Sequence, residues 1–411
     1  MKIHTGISAR LYGSALNNAI SLMPLFSFTN FVPLSVLGAP FALFGFFSAR
    51  TLRILLNFPA FAVLIIYTFI SALCYDASGF LSPDFYRRDG NFFPTIAVLV
   101  CGLTFANEKN AENALRILAS IAGVSFIIFW PIEAVILGHK NVHALFVAHN
   151  AAGGFFAVMA VLSLFIFDGK RRIFFSALFV IAVFETGSRG SLLGMLLVYV
   201  LYFASSNFGL RWLVFGVFLF LTIWIAVWSK SFYGYAGTDL YRQEYSAEAL
   251  ELHAENSEQT GAVVGNSHNV YIRMAIVWPR AVEIFSNYPL LGAGFGAYDD
   301  RIYLERTDIL AEASEVMHTN SHAHHTFLHV AAEQGVIGFV LLLVSLWTID
   351  RRLSGCPNKL TQAASHTLML VMLMSLTEHR LYSPSNSVPM MFIISFALLR
   401  LDALGKIKAF S

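Results

Sequence analysis

Long apolar runs separated by short polar breaks recur from residue 8 to residue 404. A helix needs about 20 largely apolar residues to cross a bilayer. On that measure the pattern predicts twelve spans, at 8–28, 31–48, 54–75, 92–106, 117–138, 151–167, 173–187, 190–206, 211–229, 326–349, 363–379 and 388–404. Backbone polar groups in hydrocarbon must be satisfied within each segment, so these runs are read as helices; the alternating ten-residue pattern of barrel strands is missing. One stretch interrupts the series. Residues 230–325 are polar, and three helices are expected there: over roughly 244–259, from near Pro279, and from about Asp299 to Met317. Proline suits a first helical turn, and the carboxylates of Asp299 and Asp300 suit a helix start. No internal repeat and no low-complexity tract stands out.

Composition agrees with a hydrocarbon solvent. Of 411 residues, 57% are apolar and 13% charged, against about 25% charged in a soluble domain; mean hydropathy is +0.64. The net charge of +2 argues for no polyanionic partner, so no nucleic acid is expected. Cys74, Cys101 and Cys356 form no CxxC pair and no disulfide framework. Lys2 and Arg10 precede an apolar stretch without a cleavage pattern, so the first helix is expected to act as the insertion signal and to stay.

The distribution of Lys and Arg orients the chain. With both termini in the cytoplasm, sixteen of them fall in cytoplasmic segments and only Arg87, Arg88, Lys140, Arg189 and Arg380 in the opposite short loops. Residues 230–325, with thirteen Asp and Glu against six Lys and Arg, then become extracytoplasmic. The expected organisation is an all-α integral membrane protein: spans one to nine in 1–229, a large extracytoplasmic helical loop in 230–325, and spans ten to twelve with a cytoplasmic tail in 326–411.

Three motifs carry candidate chemistry. Arg189 lies in Gly187-Ser188-Arg189-Gly190 near the outer boundary, four residues after Glu185, with which it could pair on one helix face. It reads as a snorkelling turn arginine or as an anion site beside two glycines. The run from His318 to His329 holds five histidines, with Glu333 following. If the helix begins by His322, then His322, His325, His329 and Glu333 share one face while His324 points elsewhere. Water-capped interfacial histidines, a general base and a metal site are the readings. His318 and His322 have i,i+4 spacing, yet no HExxH or third-ligand pattern joins them. Third, Arg273 and Arg280 flank Trp278, and Pro289-Leu290-Leu291-Gly292-Ala293-Gly294-Phe295-Gly296 reads as a tight turn, not a dinucleotide loop, since no strand precedes it. Glu133, Glu378 and His379 are further ionisable groups at membrane depth.

His322-Ala323-His324-His325-Thr326-Phe327-Leu328, followed by Glu333-Gln334-Gly335-Val336-Ile337-Gly338, resembles the signature of the O-antigen ligase and polymerase family of bacterial envelope enzymes. Ser188-Arg189-Gly190, His149-Asn150, and Trp278 through Gly294 resemble further motifs of that family, so the resemblance covers roughly residues 140–345. Two departures stand out. His325 occupies the place of a usual Asn, and Arg273 lies one residue further from Trp278 than expected, which leaves Arg280 as an alternative.

The resemblance implies a GT-C-like membrane glycosyltransferase in the bacterial inner membrane, working at its outer face without metal or other cofactor. It would move a glycan from a polyprenyl diphosphate to a hydroxyl on lipid A core or on another glycan chain. His324, with His322, His325 and Glu333 beside it, would be catalytic. Arg189 and Arg273, or Arg280, would bind diphosphate. A secondary transporter or lipid-glycan flippase is the alternative that twelve spans allow, although no repeated halves and no paired broken helices are visible. A non-catalytic scaffold is a third reading.

Overall fold

The computed structural model describes residues 47–79, 92–106, 110–146, 148–204, 207–233, 277–298 and 322–407. Span 8–28, nearly all of span 31–48, the expected helices at 244–259 and Asp299–Met317, Arg273 and His318 lie outside the described residues. Among the described residues the secondary structure is helical, with no strand. Six helices among the described residues are long and apolar enough to cross a membrane. Together they make this an α-helical membrane protein.

The elements are α1 (Ala49–Leu56), α2 (Pro59–Asp76), α3 (Phe92–Phe105), α4 (Ala111–Trp130), α5 (His149–Ile166), α6 (Gly169–Glu185), α7 (Arg189–Phe203), α8 (Phe208–Tyr233), α9 (Trp278–Asn287), α10 (Thr326–Ser354), α11 (Lys359–Met374) and α12 (Pro384–Ala403). Helices α5, α11 and α12 form the interior. Phe155, Phe156, Leu370, Met372, Phe392 and Ile393 there are fully buried. The outer helices instead present large apolar side chains outward, such as Phe184 at 69% and Phe203 at 72% exposure. A surface of that kind is covered by lipid tails in a bilayer and would aggregate in water.

Several expected spans differ from the observed helices; the one expected at 363–379 ends at Met374, which leaves Glu378 and His379 beyond it. The run 54–75 is not one helix: Pro59 lacks an N–H and pushes Phe58 to φ −124° and ψ 68°, so α1 ends at Leu56 and α2 begins at Pro59. Span five begins earlier, at Ala111, and its proline does not end it. Pro131 opens a π-helical turn, Pro131–Ile136, in which Leu137 N–H reaches Ile132 O at 2.9 Å. Span ten is longer than expected, and it is broken at Gly335 (φ 62°, ψ −166°).

Contacts between helix ends define two faces. At one, Arg53 pairs with Asp402 at 2.6 Å, Arg116 Nε donates to Ile166 O at 2.7 Å, and Lys359 pairs with Asp168 at 2.8 Å. Of the described Lys and Arg residues, twelve lie toward this end and five (Lys140, Arg189, Lys230, Arg280 and Arg380) toward the other. The histidine motif is at the second end.

Candidate functional site

The break in α10 has a specific filling. In a continuous helix Val336 N–H would bond to Ala332 O, and Ile337 N–H to Glu333 O. Here Val336 N–H donates to Pro289 O at 2.8 Å and Ile337 N–H to Leu290 O at 3.4 Å. Ala332 O and Glu333 O accept from Ala293 N–H at 3.0 Å and Gly294 N–H at 2.9 Å. Four bonds to the segment after α9 thus replace two within α10, so the Val336 and Ile337 N–H groups and the Ala332 and Glu333 carbonyls all keep partners. The two chains touch where both have glycine with positive φ, Gly292 (76°) and Gly335 (62°); a Cβ on either would collide with the other's backbone. Tyr67 of α2 bridges the splice, its hydroxyl lying 3.0 Å from both Leu291 O and Gln334 O. The glycine-rich stretch is therefore a turn, as its spacing indicates.

Glu333 secures the same segment through its side chain. Its Oε1 accepts from Gly296 N–H at 3.0 Å and Tyr298 N–H at 3.1 Å, and its Oε2 lies 3.3 Å from His329 Nε2. The Tyr298 hydroxyl donates to Val277 O at 2.9 Å, next to α9. All of these groups except Gly296 are buried.

The helix begins later than His322, so the histidines are not one face of a helix. Thr326 is the first residue of α10 and His325 is its N-cap. His325 Nδ1 accepts from Leu328 N–H at 3.2 Å, which places the ring proton on Nε2, 2.9 Å from Thr222 Oγ1 of α8. The Trp278 ring meets the imidazole edge-on at 5.5 Å. Burial holds His325 down at about 3, so its ring is neutral.

His324 adopts φ +47°, a left-handed conformation that a non-glycine residue keeps only where its surroundings impose it. Its Nδ1 lies 3.0 Å from Glu378 Oε2, in the turn between α11 and α12. From there imidazoles succeed one another. His322 contacts His324 at 4.3 Å between ring centroids and stacks on His379 at 5.1 Å, and His379 meets His329 at 4.4 Å. Tyr382 packs on His379 at 4.8 Å. Burial, followed by the neighbouring histidines, holds His379 well below the usual imidazole value.

The turn carrying Glu378 and His379 also gathers the arginine side. Ser375 O accepts from Thr326 N–H at 2.9 Å. Arg380 is buried, and its Nη1 donates to Asn150 O at 2.7 Å in the first turn of α5. At Gly190, the second residue of α7, a Cβ would stand 2.5 Å from Thr377 Oγ1, so the Ser188-Arg189-Gly190 turn packs directly on this segment. Arg189 itself is exposed. Its expected partner Glu185 instead accepts from Trp130 Nε1 at 2.9 Å, and Arg189 makes no ion pair among the described residues. Arg280, on the first turn of α9, pairs with Glu283 three residues on.

His322, His324, Glu333 and Arg189 therefore occupy one end of the molecule. His325 is turned into a helix cap, Arg280 is engaged in an ion pair, and Arg273 is outside the described residues. Glu378 and His379 are marked in the sequence as ionisable groups at membrane depth, but nothing there joins them to residues 54 positions earlier. Arg380 is recognisable in the sequence only as an outer cation. Among the described residues no group of three or more His, Cys, Asp or Glu is arranged to hold a metal ion.

No curated protein matches the chain. Residues 174–343 match the family model described as O-antigen ligase. That segment runs from α6 through the histidine motif and the α10 splice, and the match supports the likeness to the O-antigen ligase and polymerase family that the motifs carry.

Proposed function

We propose that this protein transfers a glycan from a polyprenyl diphosphate to an acceptor hydroxyl at the outer face of the bacterial inner membrane, without a metal ion. The acceptor oxygen attacks the anomeric carbon of the donor sugar and the bond from that carbon to the diphosphate breaks. The bonding pair leaves with the polyprenyl diphosphate, and the hydroxyl proton passes to His324 Nε2. Negative charge develops on the leaving diphosphate, where an arginine fork gives bidentate, charge-assisted bonds. Arg189 and Arg273 fill that role in this reading. The ion pair between Arg280 and Glu283 favours Arg273 as the second arginine. His322, His379 and Glu333 shape the site, and His325 serves structure.

The observation that carries the proposal is the dyad of His324 and Glu378 beside the turn on which the Arg189 loop packs. The Lys and Arg asymmetry supports a site facing outward, with both termini cytoplasmic. About twelve spans, the division at residues 229 and 325, and a GT-C-like architecture belong to the same reading. A transporter would need the broken helix to offer backbone groups to cargo, whereas the α10 break is filled by residues 289–294.

The test is deletion of the gene, followed by complementation and gel analysis of envelope glycans. Lipid-linked polymer that accumulates without attachment identifies a ligase, and single repeat units identify a polymerase. Normal surface glycan in strains carrying only Arg189→Lys or His324→Ala overturns the proposal.

A further inference from the structure

Glu378 is a largely enclosed carboxylate, 12% exposed, that the family signature leaves unused. We infer that it is the positioning residue for His324, acting as the orienting carboxylate of a His–Glu dyad; this rests on the reading of His324 as general base. Three observations converge. The carboxylate oxygen is 3.0 Å from Nδ1, with both side chains at about a tenth exposure or less (8% for His324, 12% for Glu378). The two chain segments are pinned together independently of that contact, by Thr326 N–H to Ser375 O at 2.9 Å and by the Thr326 hydroxyl to Glu378 O at 3.4 Å. Finally, His324 is held at φ +47°, a strained backbone that aims the ring at the turn carrying Glu378.

The chemistry follows from the contact. An ionised carboxylate at Nδ1 fixes the ring proton there and leaves Nε2 as the basic nitrogen, and it stabilises the imidazolium formed when Nε2 takes the acceptor proton. On release of product the Nε2 proton passes to the departing diphosphate or to solvent, and the dyad returns to its starting state. Among the described residues, His322 on the same segment contacts the His324 ring, His379 on the facing turn stacks on His322 and meets His329, and Arg380 follows His379 in that turn. The Glu378 carboxylate contacts Nδ1 directly, so the tautomer is assigned to it.

The test uses the purified full chain in detergent, with lipid-linked glycan and lipid A core extracted from the deletion strain. Glu378→Gln is expected to lower kcat by about 10²-fold or more with KM for the lipid-linked glycan unchanged. Without the carboxylate the imidazole becomes less basic, so the acidic limb of the kcat profile moves to lower pH. Glu378→Asp, which keeps the charge, should recover part of the rate and restore the limb. In a His324→Ala background Glu378→Gln should cost nothing further. Wild-type kcat and an unmoved limb in Glu378→Gln, while His324→Ala is inactive, overturn the dyad alone. Full activity of His324→Ala overturns the general-base reading beneath it. Should Glu378→Gln fail to fold, Glu378→Asp decides: a rate above that of His324→Ala with the limb at its wild-type position supports the dyad, and a rate as low as His324→Ala or a moved limb overturns it.

Discussion

The Nδ1 of His325 accepts the backbone N–H of Leu328, three residues into the helix it caps, at 3.2 Å. An asparagine side chain in the same place would present an oxygen to the same donor, and asparagine is among the preferred N-caps. The departure of this chain from the pattern of the family it resembles therefore preserves a capping function. His325→Asn is expected to retain glycan transfer and stability, while His325→Ala should lose about 1 kcal/mol. Thermal melts in detergent, monitored by tryptophan fluorescence, measure the difference.

The same imidazole makes stability depend on pH. Burial lowers His325 from 6.5 to about 3 in the folded protein. Below pH 6.5 the unfolded chain therefore gains a proton that the folded chain refuses. Stability should fall as pH drops from 6.5 toward 3, by at most about 1.4 kcal/mol per pH unit from this group. His325→Asn should flatten that slope. An unchanged slope would mean that His325 is already protonated in the fold.

Glu333 anchors two backbone N–H groups with one oxygen. Glu333→Gln keeps an acceptor there and should fold; Glu333→Ala strands both donors, at about 1–3 kcal/mol for each one left buried and unpaired. The comparison needs only melting temperatures in detergent. Similar loss in both variants would show that the charge, not the acceptor, matters.

Replacing Arg189 by lysine preserves charge but removes the planar fork. Arg189→Lys is expected to lower transfer by about 10²-fold or more with normal membrane expression. Arg273→Ala should behave similarly, whereas Arg280→Ala, which removes only the ion pair with Glu283, should keep most activity. Chelators should leave the rate unchanged. The in vitro assay with extracted lipid-linked glycan reads all four outcomes.

The membrane class, the run of apolar helices from residue 54 on, the helix beginning near Pro279 and the histidine motif were legible because each is a local property of the chain. Hydropathy reports burial in lipid directly, and Pro279 suits the first turn of the helix that begins at Trp278. The site's other half was not legible. Glu378 and His379 reach His324 and His329 only through the packing of α11 against α10, and no spacing rule links positions so far apart. The histidines' register is not legible for a local reason: an imidazole does not announce itself as a cap, so the sequence leaves open whether the helix of span 326–349 begins as early as His322. Pro59 and Pro131 show the limit of local rules. The first ends a helix, while the second is absorbed in a π turn whose later carbonyls still find donors.

The splice at Gly335 ties the fate of two regions distant in sequence. Because residues 289–294 complete the hydrogen bonding of α10 itself, that stretch is inherited as part of the span, not as an appendage above it. Chimeras that swap it between relatives should work only when residues 332–337 travel with it, and a mismatched pair would expose bare amides inside the bilayer.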